Sequence, residues 1–153
     1  MKEICFFDLS AREEELLSQA EKAMQQAYSP YSGFSVGAAL LSNDERIFPG
    51  ANLETASYDV ICAERAALAS ANAAGCRSFT CLAIISRGKD FATKQVSAPC
   101  GRCRQMLYEF SQLGGHDLKI IMSTTNKDKI IISSINELLP LPFGPNDLGL
   151  KRR

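Results

Sequence analysis

Apolar residues recur at helical spacing near the start of the chain and in short strand-like runs after it. The segment Ser10-Ala-Arg-Glu13 has the form of a helix capping box, and the apolar positions that follow predict a first helix that ends before Pro30. Two strand-like runs come next, at 34–41 and 46–52, and the polar residues 43–45 between them predict a β-hairpin.

The second half of the chain predicts two longer helices that alternate with strands. The alanine-rich segment from about 60 to 74 predicts a helix with Gly75 as its C-cap, and another helix is expected from about 100 to 113, before two glycines. The other predicted elements are strands at 79–86, 118–123 and 129–133 and a short helical turn at 135–139.

This order of elements predicts an α/β fold. The strand–helix–strand passage across 79–123 predicts a parallel strand pair with a right-handed crossover, whereas the hairpins predict antiparallel pairs. We therefore expect one α/β domain over residues 1–153, with a mixed sheet of five strands covered by helices.

The charge balance excludes several partner classes. Lys and Arg number 17 and so do Asp and Glu, which argues against a broad basic surface for nucleic acid or for an anionic membrane. We interpret the terminal Lys-Arg-Arg at 151–153 as a solvated tail. No apolar run approaches the roughly 20 residues that span a bilayer, so we expect no membrane partner.

The location of the protein is predicted from its N-terminus and its cysteines. The first residues turn acidic after a few apolar positions and lack a small-residue cleavage site, so we expect no secretory signal and a cytoplasmic location. Six cysteines in such a chain favour reduced thiols, some of them metal ligands, over three disulfides.

Three cysteines have the setting of zinc ligands. Cys100 and Cys103 share one face at the first turn of a predicted helix, where the helix dipole favours thiolates. Cys62 lies near the start of the preceding helix, and three sulfurs on two helix starts could hold one zinc with the fourth position open to water. Cys5, Cys76 and Cys81 have no such setting.

The surrounding residues make this pattern more specific. Cys62-Ala-Glu64 followed by Pro99-Cys-Gly-Arg-Cys103 has the form of the zinc-dependent base-deaminase signature, in which the glutamate is not a ligand. A lone Cys-x-x-Cys also occurs in redox-active cysteine pairs and in zinc knuckles. The deaminase interpretation therefore rests on the compound pattern. Arg65 lies on the helical face of Cys62 and can donate N–H bonds to sulfur, which offsets the negative charge of three thiolates.

With these motifs the chain resembles the small zinc-dependent cytidine deaminases, which bind zinc through three cysteines and form homotetramers. The resemblance covers nearly the whole length. It is carried by residues 28–40, 50–54 with Tyr58, 62–65, 99–105, 137–140 and 143–148.

The resemblance implies a three-layer α/β/α fold and a defined chemistry. It implies hydrolytic deamination of cytidine and deoxycytidine to uridine and deoxyuridine, with release of ammonia, as a step of pyrimidine salvage. One zinc per subunit, held by Cys62, Cys100 and Cys103, would activate water, and Glu64 would shuttle protons to the base and to the leaving amine.

The resemblance also implies the residues that bind the nucleoside. They are Phe34 against the base, Asn52 and Glu54 at the ribose 3′-hydroxyl, and Ala63 in the substrate pocket. Tyr58 and Phe143 resemble residues that line the pocket of a neighbouring subunit. The loop at 86–98 is longer than the family pattern leads us to expect, which leaves loop closure and substrate tolerance open.

Other functions remain as alternatives at this point. A deaminase of a modified cytosine nucleoside such as blasticidin S shares the Cys-Gly-Arg-Cys-Arg-Gln segment, although the aromatic Phe34 and the Asn-x-Glu segment favour cytidine. A structural zinc module that binds a partner predicts a closed site with four protein ligands. A thiol–disulfide enzyme that uses Cys100 and Cys103 predicts no metal.

Overall fold

The computed structural model describes residues 1–150, so the expected solvated tail at 151–153 lies outside the described residues. The α-helices are α1 (Ala11–Met24), α2 (Ala63–Ala73), α3 (Gly101–Gly114) and α4 (Ile135–Leu138). The β-strands are β1 (Lys2–Ile4), β2 (Phe34–Ser42), β3 (Ile47–Ala51), β4 (Leu53–Glu54), β5 (Val60–Ile61), β6 (Phe79–Gly88), β7 (Lys119–Ser123) and β8 (Ile130–Ser134). Within residues 1–150, no helix is long and apolar enough to cross a membrane.

The main sheet is mixed, as the sequence predicts. Its strand order is β1-β8-β7-β6-β2-β3. The β6–β7 pair, joined through α3, is parallel, and the remaining pairs are antiparallel. The prediction of five strands was wrong by one, because Lys2–Ile4 adds a sixth strand along β8. Three residues are too few to show a period, and this strand exists only through its pairing with a distant partner.

Helices cover both faces of the sheet, which confirms the three-layer arrangement. Alternate residues of β6 point to opposite faces, as the strand geometry requires. Ala83 and Ile85 pack beneath Leu16 and Leu17 of α1. On the other face lie residues of β6 and of the helices α2, α3 and α4: Leu82, Ile84, Ala67, Leu68, Leu107, Ile135 and Leu138.

The start of α2 corrects the helix expected from about 60. Val60 and Ile61 form β5, which pairs with Leu53 and Glu54 in a separate two-stranded sheet. β-Branched side chains favour strand over helix, and here a partner strand is available. The helix begins at Ala63, and Cys62 is its N-cap in an extended conformation (φ −68°, ψ 151°).

Two glycines of the β2–β3 hairpin set how closely the helices approach the sheet. A Cβ atom on Gly37 would lie less than 3.0 Å from backbone atoms of Ala20 and Met24 in α1. A Cβ atom on Gly50 would come equally close to backbone atoms of Ala63 and Ala67 in α2. Each helix therefore lies directly on a strand backbone, and Gly50 fixes the position of the helix that begins next to Cys62.

We expect Gly50→Ala and Gly37→Ala each to lower the free energy of unfolding by about 1–3 kcal/mol, measured by urea denaturation, because neither helix backbone can yield without repacking. Gly50→Ala should also reduce bound zinc, since it displaces the turn that follows Cys62. Gly37→Ala displaces α1 and should leave zinc unchanged.

The matched control is Gly101→Ala, where an added Cβ atom meets nothing within 4 Å. Its stability should stay within about 0.5 kcal/mol of the wild type. A Gly50→Ala protein as stable as this control would contradict the close approach of α2.

Candidate metal centre

Three thiols converge at the N-termini of α2 and α3. Cys62 is the N-cap of α2, Cys100 is the N-cap of α3, and Cys103 lies in the first turn of α3. The Sγ atoms of Cys62 and Cys100 are 3.9 Å apart and those of Cys100 and Cys103 are 3.5 Å apart. All three sulfurs lie within 4.8 Å of one another. Tetrahedral zinc with Zn–S bonds of about 2.3 Å needs sulfurs about 3.8 Å apart, so this donor set fits zinc.

Within residues 1–150, no His, Asp, Glu or further Cys joins these sulfurs in a cluster. Both ring nitrogens of His116 lie within hydrogen-bond distance of backbone carbonyl oxygens, those of Gly114 and Phe79. Cys76 and Cys81 are buried in the core and carry free thiols. The arrangement therefore has the three protein ligands of an open zinc site and lacks the fourth that a structural module would supply.

The local environment acts on each thiol differently. Burial raises the pKa of the Cys103 thiol and of the Cys62 thiol, and the nearby Glu64 carboxylate acts in the same direction. Burial also acts to raise the pKa of the Cys100 thiol, but hydrogen bonds, first among them that from the Cys103 backbone N–H, leave this pKa lowered. The two helix N-termini add positive potential that favours thiolates here.

Arg65 lies beside the sulfurs. Its Nη2 atom is 3.9 Å from Cys62 Sγ and also donates a hydrogen bond to the carbonyl oxygen of Val60. The Nε atom of Arg65 is buried and has no hydrogen-bond partner among residues 1–150. The structure thus holds a guanidinium charge against the thiol group, at the position that its spacing from Cys62 predicts.

Glu64 is the buried acidic residue of this centre. It is the second residue of α2 and is 5% exposed, and burial raises the pKa of its carboxyl group. On a regular helix Cys62 and Glu64 would point about 200° apart. That separation does not apply, because Cys62 is an extended cap residue, and both side chains line the same cavity.

A cavity of about 390 Å³ opens next to the sulfurs. This volume suits a small-molecule ligand. Six of the predicted site residues line it, namely Phe34, Asn52, Cys62, Ala63, Glu64 and Cys100. The third sulfur, on Cys103, is fully buried behind them.

Asn52 and Glu54 occupy different surroundings. Asn52 lines the cavity, and its side-chain amide donates to the carbonyl oxygen of Phe34 (2.9 Å) and accepts from the N–H of Val36 (2.8 Å). Glu54 is not among the lining residues, and its carboxylate accepts hydrogen bonds from the N–H groups of Tyr31 (3.0 Å) and Ser32 (3.1 Å). A hydrogen bond from the Ser32 hydroxyl is the main cause that lowers the pKa of Glu54.

The two residues assigned to a neighbouring pocket lie outside the cavity of their own chain. Tyr58 is 91% exposed in the turn between β4 and β5, and Phe143 is 62% exposed near the C-terminus. Leu53, Val60 and Ile61, in the paired strands β4 and β5 on either side of this turn, are also exposed apolar residues. Several exposed apolar residues in one short hairpin are typical of an interface with another protein chain.

Sequence reasoning missed five further lining residues: Val36, Val60, Ile84, Ser97 and Ala98. Val36 could have been found, because it lies two residues after Phe34 on one face of β2. For Ile84 the sequence predicts only a core residue of a buried strand. Ser97 and Ala98 lie in a loop, where no periodicity reports which residues face a cavity.

Comparison with known proteins agrees with this geometry. Residues 10–113 match the family model described as the cytidine and deoxycytidylate deaminase zinc-binding region. The cytidine deaminase of Sporosarcina psychrophila is 39% identical over 137 residues, which are 89% of this chain and 94% of that protein.

Solved structures give the same result. The crystal structure of cytidine deaminase from Burkholderia pseudomallei is 39% identical, with a TM-score of 0.77 over 88% of this chain and 100% of that one. The enzyme from Mycobacterium tuberculosis is 32% identical, with a TM-score of 0.70 over 88% of this chain and 99% of that one. With its zinc-binding motif, its fold and nearly its whole length matched, the chain belongs to the cytidine and deoxycytidylate deaminase family.

Proposed function

We propose that this protein is a zinc-dependent cytidine deaminase that converts cytidine and deoxycytidine to uridine and deoxyuridine with release of ammonia, in cytoplasmic pyrimidine salvage. The observation that carries the proposal is the three-sulfur centre beside a buried glutamate, Glu64, at the wall of a nucleoside-sized cavity. The names of the relatives support the substrate class. The proposal takes residues 1–153 as one deaminase domain.

Cys62, Cys100 and Cys103 would hold the zinc, which would supply the Lewis acidity that makes a water nucleophilic at neutral pH. Glu64 accepts the proton that this water loses and passes it to N3 of the base as the C4–O bond forms. It then takes the remaining proton from the hydroxyl group on C4 and gives it to the departing amine, so that the C4=O double bond forms as the C4–N bond breaks. A single carboxylate can serve all these steps, because each donation returns it to the state in which it can accept again. Its burial keeps bulk water from competing for the same protons.

The other residues of the cavity bind and orient the nucleoside in this proposal. The Phe34 ring packs against the planar base, and the backbone around Ala63 forms the wall next to Glu64. Asn52 keeps one amide hydrogen and one oxygen lone pair free after its two backbone contacts, which suits a sugar hydroxyl. Glu54 would accept a hydrogen bond from the ribose while it keeps the hydrogen bonds from Tyr31 and Ser32.

Arg65 offsets the charge of the centre in this proposal. Three thiolates and one zinc carry a net charge of −1, and that charge weakens the activation of a bound water. The guanidinium near Cys62 Sγ withdraws charge from the sulfur that it contacts. Its buried Nε atom has no hydrogen-bond partner among the described residues.

A spectrophotometric assay of the zinc-loaded protein tests the function directly. Cytidine and deoxycytidine should both lose their absorbance with saturable kinetics, and blasticidin S should be a poor substrate. No change with either nucleoside would refute the proposal. Turnover of blasticidin S alone would replace it with the alternative of a modified cytosine nucleoside.

We expect Glu64→Gln to lower kcat by at least about 10²- to 10⁴-fold, because the amide can neither accept nor return a proton. Zinc content and thermal midpoint should stay close to those of the wild type, as measured by mass spectrometry and calorimetry. Glu14→Gln, in the first turn of α1, is the matched control and should keep full activity. A Glu64→Gln protein that retains most of its rate would rule out the proton-shuttle role.

We expect Cys103→Ser to remove most of the zinc and to lower the thermal midpoint, because the metal links the starts of α2 and α3. A chelator should lower the midpoint of the wild type in the same way. Cys5→Ser changes an exposed thiol outside the cluster and should keep one zinc per chain. Full zinc occupancy in Cys103→Ser would show that the metal lies elsewhere.

We further propose a homotetramer in which Tyr58 and Phe143 complete the pocket of a neighbouring chain. Support comes from their exposure outside their own cavity and from the exposed apolar residues of the hairpin that carries Tyr58. We expect Tyr58→Ala to raise KM about tenfold, whereas Phe7→Ala, which removes an equally exposed ring, should leave KM unchanged.

Mixed oligomers give the sharper measurement. When Tyr58→Ala and Glu64→Gln chains are denatured and refolded together, some pockets should combine an intact Glu64 with an intact Tyr58 from the neighbour. These pockets should have wild-type KM. If the mixture shows only the kinetics of the separate variants, Tyr58 does not act across subunits.

A further inference from the structure

The loop between β6 and α3, residues 89–99, is fastened to the end of β7. The N–H of Thr93 donates to Thr125 Oγ1 (2.8 Å), and the N–H of Thr125 donates to Thr93 Oγ1 (3.0 Å). The Thr125 hydroxyl then donates to the carbonyl oxygen of Ser86 (2.6 Å). This reciprocal pair fixes the middle of the loop, so the segment that leads into Cys100 has a defined path along the cavity.

A second fastening lies at the cavity wall. The hydroxyl oxygens of Ser86 and Ser97 are 2.6 Å apart. Ser86 is fully buried in β6, two residues after the lining residue Ile84, and pairs across the sheet with the lining residue Val36. Ser97 is partly exposed and lines the cavity. The pair therefore joins the sheet beneath the cavity to the loop above it.

The direction of this hydrogen bond follows from burial. Ser97 is the hydrogen-bond partner of the Ser86 hydroxyl in the described residues, and no water reaches Ser86. If Ser97 donated, the hydroxyl hydrogen of Ser86 would be buried without an acceptor, which is unfavourable. Ser86 must therefore donate to Ser97. The hydroxyl hydrogen of Ser97 then has no acceptor among the described residues, and Ser97 lines the cavity.

The hydroxyl hydrogen of Ser97 is one of few hydrogen-bond donors that side chains offer in the cavity. Val36, Val60 and Ile84 present apolar walls, and ionised Glu64 can only accept. The Asn52 amide uses one of its two hydrogens on the Phe34 carbonyl oxygen, and its second hydrogen is the other side-chain N–H or O–H donor among the lining residues. In a mostly apolar pocket, the few polar groups fix the orientation of the ligand.

We propose that Ser97 donates a hydrogen bond to an acceptor of the bound pyrimidine nucleoside and that Ser86 is the positioning residue that orients it. This inference rests on the proposed function, because it requires a nucleoside in the cavity. Pyrimidine nucleosides carry carbonyl and hydroxyl oxygens that accept such a bond. Ser97 is thus a substrate-binding residue supplied by the loop, in addition to those supplied by the helices and strands.

The test uses the full-length, zinc-loaded protein with Ser97→Ala, Ser86→Ala and the double variant. Cytidine kinetics and uridine affinity by calorimetry give the effects on binding, and thermal midpoint gives stability. We expect Ser97→Ala to raise KM and the uridine Kd about 3- to 10-fold with little change in kcat, because the bond is made equally in ground and transition states. Ser86→Ala should raise both less, since it leaves the Ser97 hydroxyl present but free to rotate.

The double variant separates binding from structure. Ser97→Ala alone leaves the buried Ser86 hydroxyl without a hydrogen-bond partner and should lower the thermal midpoint. Removal of both hydroxyls should restore the midpoint. The raised KM and Kd should remain in the double variant, and Ser97→Thr should recover most of the affinity. If KM returns to the wild-type value in the double variant, Ser97 is only structural and the inference is overturned.

The same experiment keeps the two proposals apart. A wild type that deaminates cytidine, together with variants of unchanged KM and Kd, overturns this inference and leaves the proposed function standing. A zinc-loaded wild type that neither deaminates cytidine nor binds uridine overturns both.

Discussion

The convergence of two helix N-termini on three sulfurs is the constraint on which the site depends. Neither Cys62 nor Cys100 caps its helix with a side-chain hydrogen bond, so the thiol of each cap is left to face the other helix. Such a meeting requires α2 to lie directly on the β2–β3 hairpin and α3 to return along the parallel β6–β7 pair. The position of the Cys62 sulfur is thus set by the close approach of helix to sheet at Gly50, where the first turn of α2 rests on β3.

Charge is the second constraint, and it explains why Arg65 and the helix dipoles belong to the site. Three thiolates and the Glu64 carboxylate would place four negative charges around one small volume. Burial is the first cause that raises the pKa of Cys62, Cys103 and Glu64, and the Glu64 carboxylate raises the pKa of the two thiols further. A divalent cation, a guanidinium and two helix N-termini together balance these charges. In the proposed mechanism, metal binding, helix docking and the acid–base role of Glu64 are therefore coupled.

Local patterns predicted most of the fold and the centre of the site. The helices, the two main hairpins, the crossover and the three sulfurs all follow from periodicity, caps and spacing. What failed depends on distant partners: Lys2–Ile4 becomes a strand only along β8, and Val60–Ile61 leaves the predicted helix because Leu53–Glu54 offers a pairing partner. The position of Ser97 could not be predicted either, since its contact with Ser86 exists only after the loop has folded back.

The residues of the loop before α3 that line the cavity can differ without a change in the positions of the three sulfurs. Added loop length carries a small entropic cost, and here Thr93 and Thr125 divide the loop into two short spans. Arg104 fixes the far end independently, because its guanidinium donates to the carbonyl oxygens of Pro99 (2.7 Å) and Leu138 (2.9 Å). The segment that enters Cys100 is therefore held by contacts separate from those of the middle of the loop. Residues of the loop that face the cavity, such as Ser97, can then vary while the geometry of the three sulfurs stays fixed.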